Sequence, residues 1–361
     1  MSIPHLSCCL LALGAAGLGA QELVSPQSRR DLEGSTYTTY PLGRYDARIQ
    51  QLHADLGTGA RSLLGHAYRR DAIELRGQVA AFQSELAVTL ALSPRTADKP
   101  SARFDENLGA APTLVLPRTR LSFPATDRPP LAPAPAFAHV IPYALPFAYP
   151  PGGGVLCVDV VVHGNQIGSG SNLNFVPYLD AHEQGGNGTS EQPGFRYGQG
   201  CLAAGQTTPV SAEFTLLQHA GVLDLLVQVQ RGFATQASST GIVVLLAGAD
   251  PANAPLPPWP GCTLYTNLQT ALVLGNTDAT GAFVRTFFGL GPLVPRQVVH
   301  LQAAVARAPV AGLALSEGSR LPVPPPSPIV PEVVRIASGS DRTAATGTIA
   351  TQVAVVRFLG T

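Results

Sequence analysis

The chain has 361 residues, of which 45% are hydrophobic and 13% are charged, and its 23 basic and 23 acidic side chains give a formal net charge of +0. A chain this apolar and this sparsely charged can bury a core, which excludes wholesale disorder, and its length suggests two domains. Lys99 is the only lysine, and no basic stripe could neutralise a phosphate backbone or an anionic membrane surface, so nucleic acid is not expected as a partner.

The first segment predicts export. Leu6 to Leu18 form an apolar run that is too short to span a bilayer, and small residues follow it. Cleavage is expected at Gly17–Gly19 or after Ala20, so residues 1–20 are predicted to be a signal peptide. No Lys or Arg precedes the run, and a buried N-terminal strand is the alternative. No later run reaches the roughly 18 apolar residues of a membrane span. The sequence thus predicts a secreted, periplasmic or cell-envelope protein without a transmembrane segment.

Residues 21–199 are predicted to form an N-terminal β-sandwich domain. The second half of 79–92 alternates apolar and polar residues, and 156–163 places Leu and Val on every second position, which indicates strands. Residues 136–149 contain prolines that permit an edge strand but not a helix. In 44–56, apolar residues are spaced for one face of a helix, and one or two helical turns are expected there.

Residues 200–323 are predicted to form a second β-sandwich domain. The Gly-, Asn- and Ser-rich stretch 164–199 precedes it and is expected to be rich in loops. Short strand-like runs separated by turn residues are typical of a sandwich or barrel. The strands expected in this domain are 210–217, 222–230, 241–247, 263–265, 271–274, 281–288, 298–306 and 313–315. The predicted fold class is therefore all-β, with two antiparallel sandwiches of the jelly-roll or immunoglobulin-like kind.

Residues 324–361 are assigned to a Pro-rich linker and a tail. The connector at 322–331 favours extended polyproline II and cannot form a central strand. The two strand-like runs of the tail, 333–336 and 349–359, are expected to form a hairpin added to the edge of a sheet.

Cysteine usage predicts one disulfide. Removal of the signal peptide takes away Cys8 and Cys9 and leaves three cysteines, of which one pair is expected in an oxidising compartment. Cys201 and Cys262 each follow a glycine in turn-rich sequence, where chain segments meet, and they are the expected pair. Cys157 lies in an apolar strand, where a free thiol packs as a small hydrophobic side chain.

No catalytic or cofactor-binding residue is predicted. The sequence has no Gly-x-Ser-x-Gly elbow, no glycine-rich phosphate loop and no His-Glu-x-x-His motif, although triads and carboxylate pairs assemble from distant positions. Asp159 and His163 share one strand face but are too far apart for contact, and they are interpreted as surface or edge polar residues. Asp278, in Asn-Thr-Asp-Ala-Thr-Gly, is interpreted as a turn residue that binds nearby amides.

One polar segment offers weak candidates for metal binding. Asp180, His182 and Glu183 lie beside a run of Gly and Asn, and clustered oxygen ligands on a flexible loop can hold calcium. The D-x-D-x-D pattern of calcium loops is missing, so a solvated turn is the favoured interpretation. Asp180 and Glu183 remain the candidate ligands, with calcium as the only candidate cofactor.

Several short motifs resemble one family in their order and spacing. The motifs are LEGSTYTTYP from Leu32, RIQQLH from Arg48, YRRD from Tyr68, VLCVD from Val155, YGQGC from Tyr197, PLPPWPGC from Pro255 and GLALSEGSRLPV from Gly312. Together they resemble uncharacterised secreted two-domain β-sandwich proteins of planctomycete-type bacteria. The resemblance implies two sandwiches and a Cys201–Cys262 cystine. It implies no activity, and the tail and Cys157 fall outside it.

These observations favour an exported, non-enzymatic envelope or extracellular protein of structural or adhesive type, whose partner would be an envelope or extracellular polymer. The first alternative, a carbohydrate- or peptide-binding module, predicts a shallow groove with at least two exposed rings among Tyr143, Phe147, Tyr149 and Tyr178. Trp259 is expected to cover the cystine rather than a sugar. The second alternative, a secreted hydrolase, needs two carboxylates within about 10 Å in a cleft.

Overall fold

A computed structural model describes residues 23–72, 78–127, 134–165, 177–184, 190–219, 222–236, 239–290, 297–308, 312–324 and 331–360. Regular structure in these residues is almost all β-strand, with a turn of 3-10 helix at Gln27–Arg29 and one short α-helix, α1, at Phe104–Asn107. The predicted all-β fold is confirmed. The predicted signal peptide, with Cys8 and Cys9, lies outside the described residues.

The strands of the first part of the chain are β1 (Leu23–Ser25), β2 (Thr36–Thr38), β3 (Ala47–His53), β4 (Arg61–Tyr68), β5 (Gln78–Val79), β6 (Phe82–Ser93), β7 (Thr113–Phe123), β8 (Thr126–Asp127), β9 (His139–Tyr149), β10 (Val155–Asn165) and β11 (Leu179–Glu183). The middle part contains β12 (Ser190–Pro193), β13 (Phe195–Tyr197), β14 (Ser211–His219), β15 (Val222–Gln230), β16 (Thr240–Gly248), β17 (Pro251–Pro255), β18 (Thr263–Thr266), β19 (Thr270–Asn276), β20 (Phe283–Phe287), β21 (Val298–Ala308), β22 (Leu313–Leu315) and β23 (Gly318–Pro322). The last part contains β24 (Val333–Ser338), β25 (Thr348–Ala350), β26 (Gln352–Ala354) and β27 (Val356–Gly360).

The first unit is built on two antiparallel sheets that share a core. A four-stranded sheet has the order β1-β27-β4-β9, and a six-stranded sheet has the order β25-β24-β3-β10-β6-β7. In β10, Leu156, Val158, Val160 and Val162 are buried in this core because alternate side chains of a strand point to one face. Strand β9 lies at an edge of its sheet, as its prolines predicted. A small sheet, β2-β11-β26, completes the unit.

The helical turns expected at 44–56 are wrong, because this segment contains strand β3. The strand lies between β10 and β24 and is buried on both faces, with Ile49 in the main core and Leu52 in a smaller one. Apolar side chains on both faces remove the period of two that identifies a half-buried strand. Gln50 and Gln51 are buried as well, and their amides donate to backbone carbonyls of Phe104 and Ala354.

The strands of the tail are hydrogen-bonded into the first unit, which differs from the separate tail of the sequence-based division. Part of the expected hairpin forms, since β24 pairs with β25. The tail does not simply add to a sheet edge, however, because β24 lies between β25 and β3 and β27 lies between β1 and β4. A strand's side-chain pattern reports burial but not its partners, so the sequence could not place them. The first unit thus combines 23–183 with 331–360.

The second unit is inserted between β11 and β24. Its two main sheets have the orders β12-β14-β15-β20 and β13-β23-β21-β16-β19, and their inner faces share one core. All eight predicted strands are present. Pairing begins at β12, which lies ahead of the expected boundary at residue 200, because β12 pairs with β14 and β13 pairs with β23.

The predicted cystine is confirmed. Cys201 and Cys262 form a disulfide with a Cα–Cα distance of 4.9 Å. Cys157 is a buried free thiol among the described residues, and burial raises its pKa well above the ordinary value. Its reactive thiolate form is therefore suppressed.

Candidate functional site

A buried polar network lies where the chain leaves β1 and crosses to β2. Residues 25–35, which we call the crossing segment, run past the end of β4 and past β11. Several of their backbone carbonyl oxygens accept hydrogen bonds from one arginine side chain. Arg69 donates from Nη2 to the carbonyl oxygens of Arg29, at 2.9 Å, and Leu32, and from Nη1 to that of Arg30 at 3.2 Å. This network brings several buried charged side chains together, and we treat it as the candidate functional site.

Three carboxylates of this network form one cluster. Glu33, Asp71 and Asp180 are all buried, and each has a ligand oxygen within 4.8 Å of the others. The local fold explains their meeting: the chain beyond β4 pairs with β11, where Asp71 N–H donates to the carbonyl oxygen of Tyr178 and Asp180 N–H to that of Arg69. We call these three residues the acidic cluster.

Asp180 and Glu33 accept hydrogen bonds from neighbouring side-chain and backbone donors. Asp180 accepts from Arg69 Nε at 2.5 Å and from Gly34 N–H at 2.7 Å, and Glu33 Oε1 accepts from Ala72 N–H at 2.7 Å. Glycine is required at position 34, because a Cβ there would lie 1.9 Å from the carbonyl oxygen of Ala181. Glu33 Oε2 is buried and has no hydrogen-bond partner.

Burial dominates the electrostatics of the acidic cluster. Desolvation raises the pKa of Glu33 well above its ordinary value, and the carboxylates of Asp180 and Asp71 raise it further. Desolvation also raises the pKa of Asp180, although Arg69 opposes the shift. Burial therefore disfavours ionisation of Glu33 and Asp180 unless a positive charge lies beside them.

Arg29 links the network to the second unit. Its Nη1 donates to Gln192 Oε1 on β12, and its Nη2 lies 3.2 Å from His182 Nε2. Burial lowers the pKa of Arg29 to about 10, and burial together with the Arg29 charge lowers the pKa of His182 well below its usual value. His182 is thus neutral at pH 7 and accepts from Arg29, and the Arg29–Gln192 hydrogen bond forms a junction between the units.

A second group of residues has the composition of a hydrolase triad but not its hydrogen-bonding order. These residues are Ser25, His53 and Asp55. The Ser25 hydroxyl lies between the two others, 2.5 Å from Asp55 Oδ1 and 2.7 Å from His53 Nδ1. In a triad the histidine lies in the middle and takes the serine proton. Burial raises the pKa of Asp55 to about 7, with a further contribution from Glu332. Because Ser25 and His53 are completely buried, no substrate reaches them.

His66 provides a pH prediction. Burial lowers its pKa to about 3, below the ordinary 6.5, so the unfolded chain binds a proton that the folded chain does not. Its contribution to stability is present above pH 6.5 and is lost as the pH falls toward 3. Between pH 7 and pH 5 we expect the wild type to lose about 2 kcal/mol that the His66→Gln variant does not lose. Urea unfolding of both proteins at the two pH values measures this, and parallel losses would contradict it.

The structure brings only one of the two candidate metal ligands into the acidic cluster. Asp180 belongs to it, whereas Glu183, on the same strand, is exposed at the other end of β11. The neighbouring Gly and Asn residues at 185–189 lie outside the described residues. The sequence analysis missed Glu33 and Asp71, because each lies in an irregular segment far from Asp180 in the chain. At Glu33 and at Asp71, the available signal was an acidic residue whose neighbours in the chain are buried.

The remaining polar candidates have structural roles. Asp159 is buried rather than at the surface, and its carboxylate pairs with Arg48 at 2.7 Å, because its strand is covered on both faces. His163 is half-buried and lines a shallow surface cavity with Glu85 and other polar residues. Asp278 is a turn residue as predicted, and its Oδ1 accepts from the amides of Thr280 and Ala282.

The four aromatic residues predicted for a binding groove do not present exposed rings. Phe147 and Tyr149 are buried, and Tyr143 is half-buried with its hydroxyl 2.8 Å from His66 Nδ1. Tyr178 is half-buried against the edge of Tyr37, with ring centroids 4.7 Å apart. None of the four named rings is exposed, because their apolar faces fill the core of the first unit or pack on a neighbouring ring.

An exposed apolar surface lies on the second unit. Strands β19 and β20 are edge strands of its two sheets, and a tight turn joins them, so both edges meet on one side of the sandwich. Arg285 Nη1 on β20 donates to the carbonyl oxygen of Leu274 on β19 at 3.1 Å. The exposed apolar side chains of this side, which we call the open flank, are Leu268, Leu272, Val273, Val284 and Phe288.

No family model, curated protein or solved structure matches the chain. In the described residues, no helix combines the length and the hydropathy that crossing a membrane requires.

Proposed function

We propose that the protein is exported and acts as a non-enzymatic structural or adhesive module of the envelope or extracellular space, and that it assembles with a second copy through the open flank. The observation that supports this is the exposure of that flank. Val273 is 66% exposed, Val284 65% and Phe288 80%, although large apolar side chains are usually covered in a monomer. Export and the planctomycete-type family remain predictions from the sequence.

Strand β19 has the features of a pairing edge. Among the described strands it is hydrogen-bonded only to β16, so its other side presents backbone donors and acceptors to a further strand. Natural edge strands are usually protected by charges, prolines or bulges. Strand β9, at an edge of the first unit, carries Pro142 and Pro146, whereas β19 has neither proline nor charge, and its irregularity in pairing lies toward its end, between Val273 and Gly275.

The charge pattern favours a second copy as the occupant. Asp278 is the only charged residue between 263 and 284, so two copies of β19 meet without like-charge repulsion. An acidic or basic partner finds no complementary charge on β19. Antiparallel pairing of β19 with itself about a two-fold axis satisfies backbone donors and acceptors of both copies and brings Val273 of each copy against the other.

The carboxylates that a hydrolase would use are already engaged. Asp55 accepts from Ser25 and from Gln27 N–H, and Glu332 accepts from Ser28 and Gln184. In the surface cavity that His163 lines, Glu85 is the carboxylate, and it pairs with Arg118 at 2.8 Å. Within the described residues these sites leave no free pair of carboxylates in a cleft, which supports the non-enzymatic proposal.

A charge on β19 tests the assembly. We expect the wild type to form dimers in analytical ultracentrifugation, and Val273→Lys to weaken dimerisation by about 100-fold or more. The substitution appears twice in a two-fold interface and places two ammonium groups in an apolar contact. Because Val273 is exposed in the monomer, the variant folds normally.

Leu145→Lys is the matched control, since Leu145 is an exposed leucine on the proline-bearing edge strand β9. It is expected to leave the dimer unchanged. A wild type that stays monomeric, or a Val273→Lys protein that dimerises as tightly as the wild type, contradicts assembly through the open flank.

A further inference from the structure

We infer that the acidic cluster of Glu33, Asp71 and Asp180 is a binding site for a divalent, oxygen-seeking cation of the calcium type. The inference concerns the first unit alone and does not depend on the open flank. Two observations support it: the three buried carboxylates meet within 4.8 Å, and Glu33 Oε2, on a side chain that is 2% exposed, has no hydrogen-bond partner.

The charge of the cluster requires compensation. Arg69 donates to Asp180, whereas the buried Glu33 Oε2 has no hydrogen-bond partner to offset its loss of solvation. An uncompensated buried charge costs several kcal/mol in proteins, so an ionised Glu33 carboxylate needs a positive charge beside it. A divalent cation supplies the missing charge.

A second positive charge near the cluster is shared with groups outside it. Arg29 faces Asp180, but Glu332 faces Arg29 in turn, and the Arg29 guanidinium contacts Gln192 and His182. Arg29 therefore divides its charge between the cluster and Glu332.

The chemistry and enclosure of the cluster suit calcium better than magnesium. Ca²⁺ binds carboxylate oxygens at about 2.3–2.6 Å, so ligands on opposite sides of the ion lie up to about 5 Å apart, which accommodates the 4.8 Å limit on the separations of the cluster oxygens. Mg²⁺ requires about 2.0–2.1 Å and keeps most of its water, which an enclosed cluster of three carboxylates does not favour. The oxygen donors also exclude the soft metals that prefer sulfur and imidazole.

Such an ion would connect three separate parts of the chain. Glu33 lies in the crossing segment, Asp71 follows β4, and Asp180 lies on β11. In the unfolded chain these residues are far apart, so the ion binds the folded state only and stabilises the first unit by mass action.

Calcium binding by the full mature chain tests the inference. After treatment with a chelator, titration calorimetry with calcium chloride is expected to show one site per chain, and calcium is expected to raise the thermal midpoint. Glu33→Gln keeps an oxygen for the Ala72 amide but removes a ligand charge, so we expect its calcium affinity to fall at least about ten-fold. Glu183→Gln, at the exposed end of β11, is the matched control and is expected to bind as the wild type does.

The outcomes separate a cation from a shared proton. If calcium, magnesium and manganese chloride give neither heat nor a thermal shift, and stability instead rises as the pH falls, a proton balances the cluster and the inference is wrong. It is equally wrong if Glu33→Gln binds calcium as tightly as the wild type. Should that variant fail to fold, equilibrium dialysis of the wild type against calcium chloride decides, because absence of a bound ion overturns the inference. Loss of binding in Glu183→Gln also contradicts it, since the ion would then lie at the exposed end of β11.

Discussion

Truncation of the chain after Pro331 is expected to unfold the first unit and to leave the second unit folded. The deletion removes β24 and β27, which lie inside the two main sheets, and exposes β3, β1 and β4 along their hydrogen-bonding edges. The deleted segment also contributes buried apolar side chains to the first unit. These are Val333, Val334, Ile336, Val353, Val355, Val356 and Phe358.

The expected effect is larger than the stability of a typical domain. Each fully buried aliphatic or aromatic side chain contributes about 1.5–3 kcal/mol, and a domain is stable by about 5–15 kcal/mol in total. Loss of seven such side chains together with two interior strands therefore leaves no stable first unit.

Hydrogen exchange measured by mass spectrometry distinguishes the units. Amides of 23–183 are expected to lose protection, while those of 190–323 keep it, since the sheets of the second unit contain no strand from the tail. Ile349→Ala in β25, at an exposed position of the same tail, is the control and is expected to change protection little. Protection retained throughout 23–183 would falsify the assignment of the tail to the first unit.

Asp180→Ala is expected to destabilise the protein by about 3–5 kcal/mol, the cost of leaving a buried ionic partner alone. Asp180 and Arg69 are 0% and 1% exposed at the side chain, with an Nε–Oδ2 distance of 2.5 Å. Removing the carboxylate leaves the Arg69 guanidinium without its ionic partner, although Arg69 also binds carbonyl oxygens of the crossing segment. It also leaves Gly34 N–H without its acceptor.

Urea unfolding at pH 7 in the presence of a chelator measures this effect without any contribution from a bound ion. Glu106→Ala is the contrasting variant, because the Arg95–Glu106 pair is exposed and exposed pairs contribute little. A similar, small loss of stability in both variants would show that the buried pair is not an essential part of the first unit.

Much of the fold could be predicted where a strand is buried on one face only. Strand β15 was predicted at its observed bounds, Val222–Gln230, because apolar and polar positions alternate along its length. Strand β3 was missed because it is covered on both sides, which replaces alternation by continuous burial. The position of β24 inside its sheet could not be predicted either, because tertiary packing determines which strands pair with each other.

The candidate site was predictable only in part, for a related reason. Asp180 attracted notice because other polar residues surround it in the sequence, yet its partners Glu33 and Asp71 come from remote segments. Strand register brings them together, through the pairing of Arg70 with Leu179 and the contacts beside it. The open flank was not predicted, because apolar residues at 271–274 indicate a strand whether or not another strand covers it.

The pairing of β1 with β27 has a consequence for the order in which the molecule is assembled. Leu23 lies opposite Phe358, so the earliest and the latest parts of the described chain complete the same sheet. The inserted unit contains all of its own strand partners and can close while synthesis continues. The unit around it can reach its native topology only after residues 331–360 emerge, and this long-range closure is expected to slow its folding.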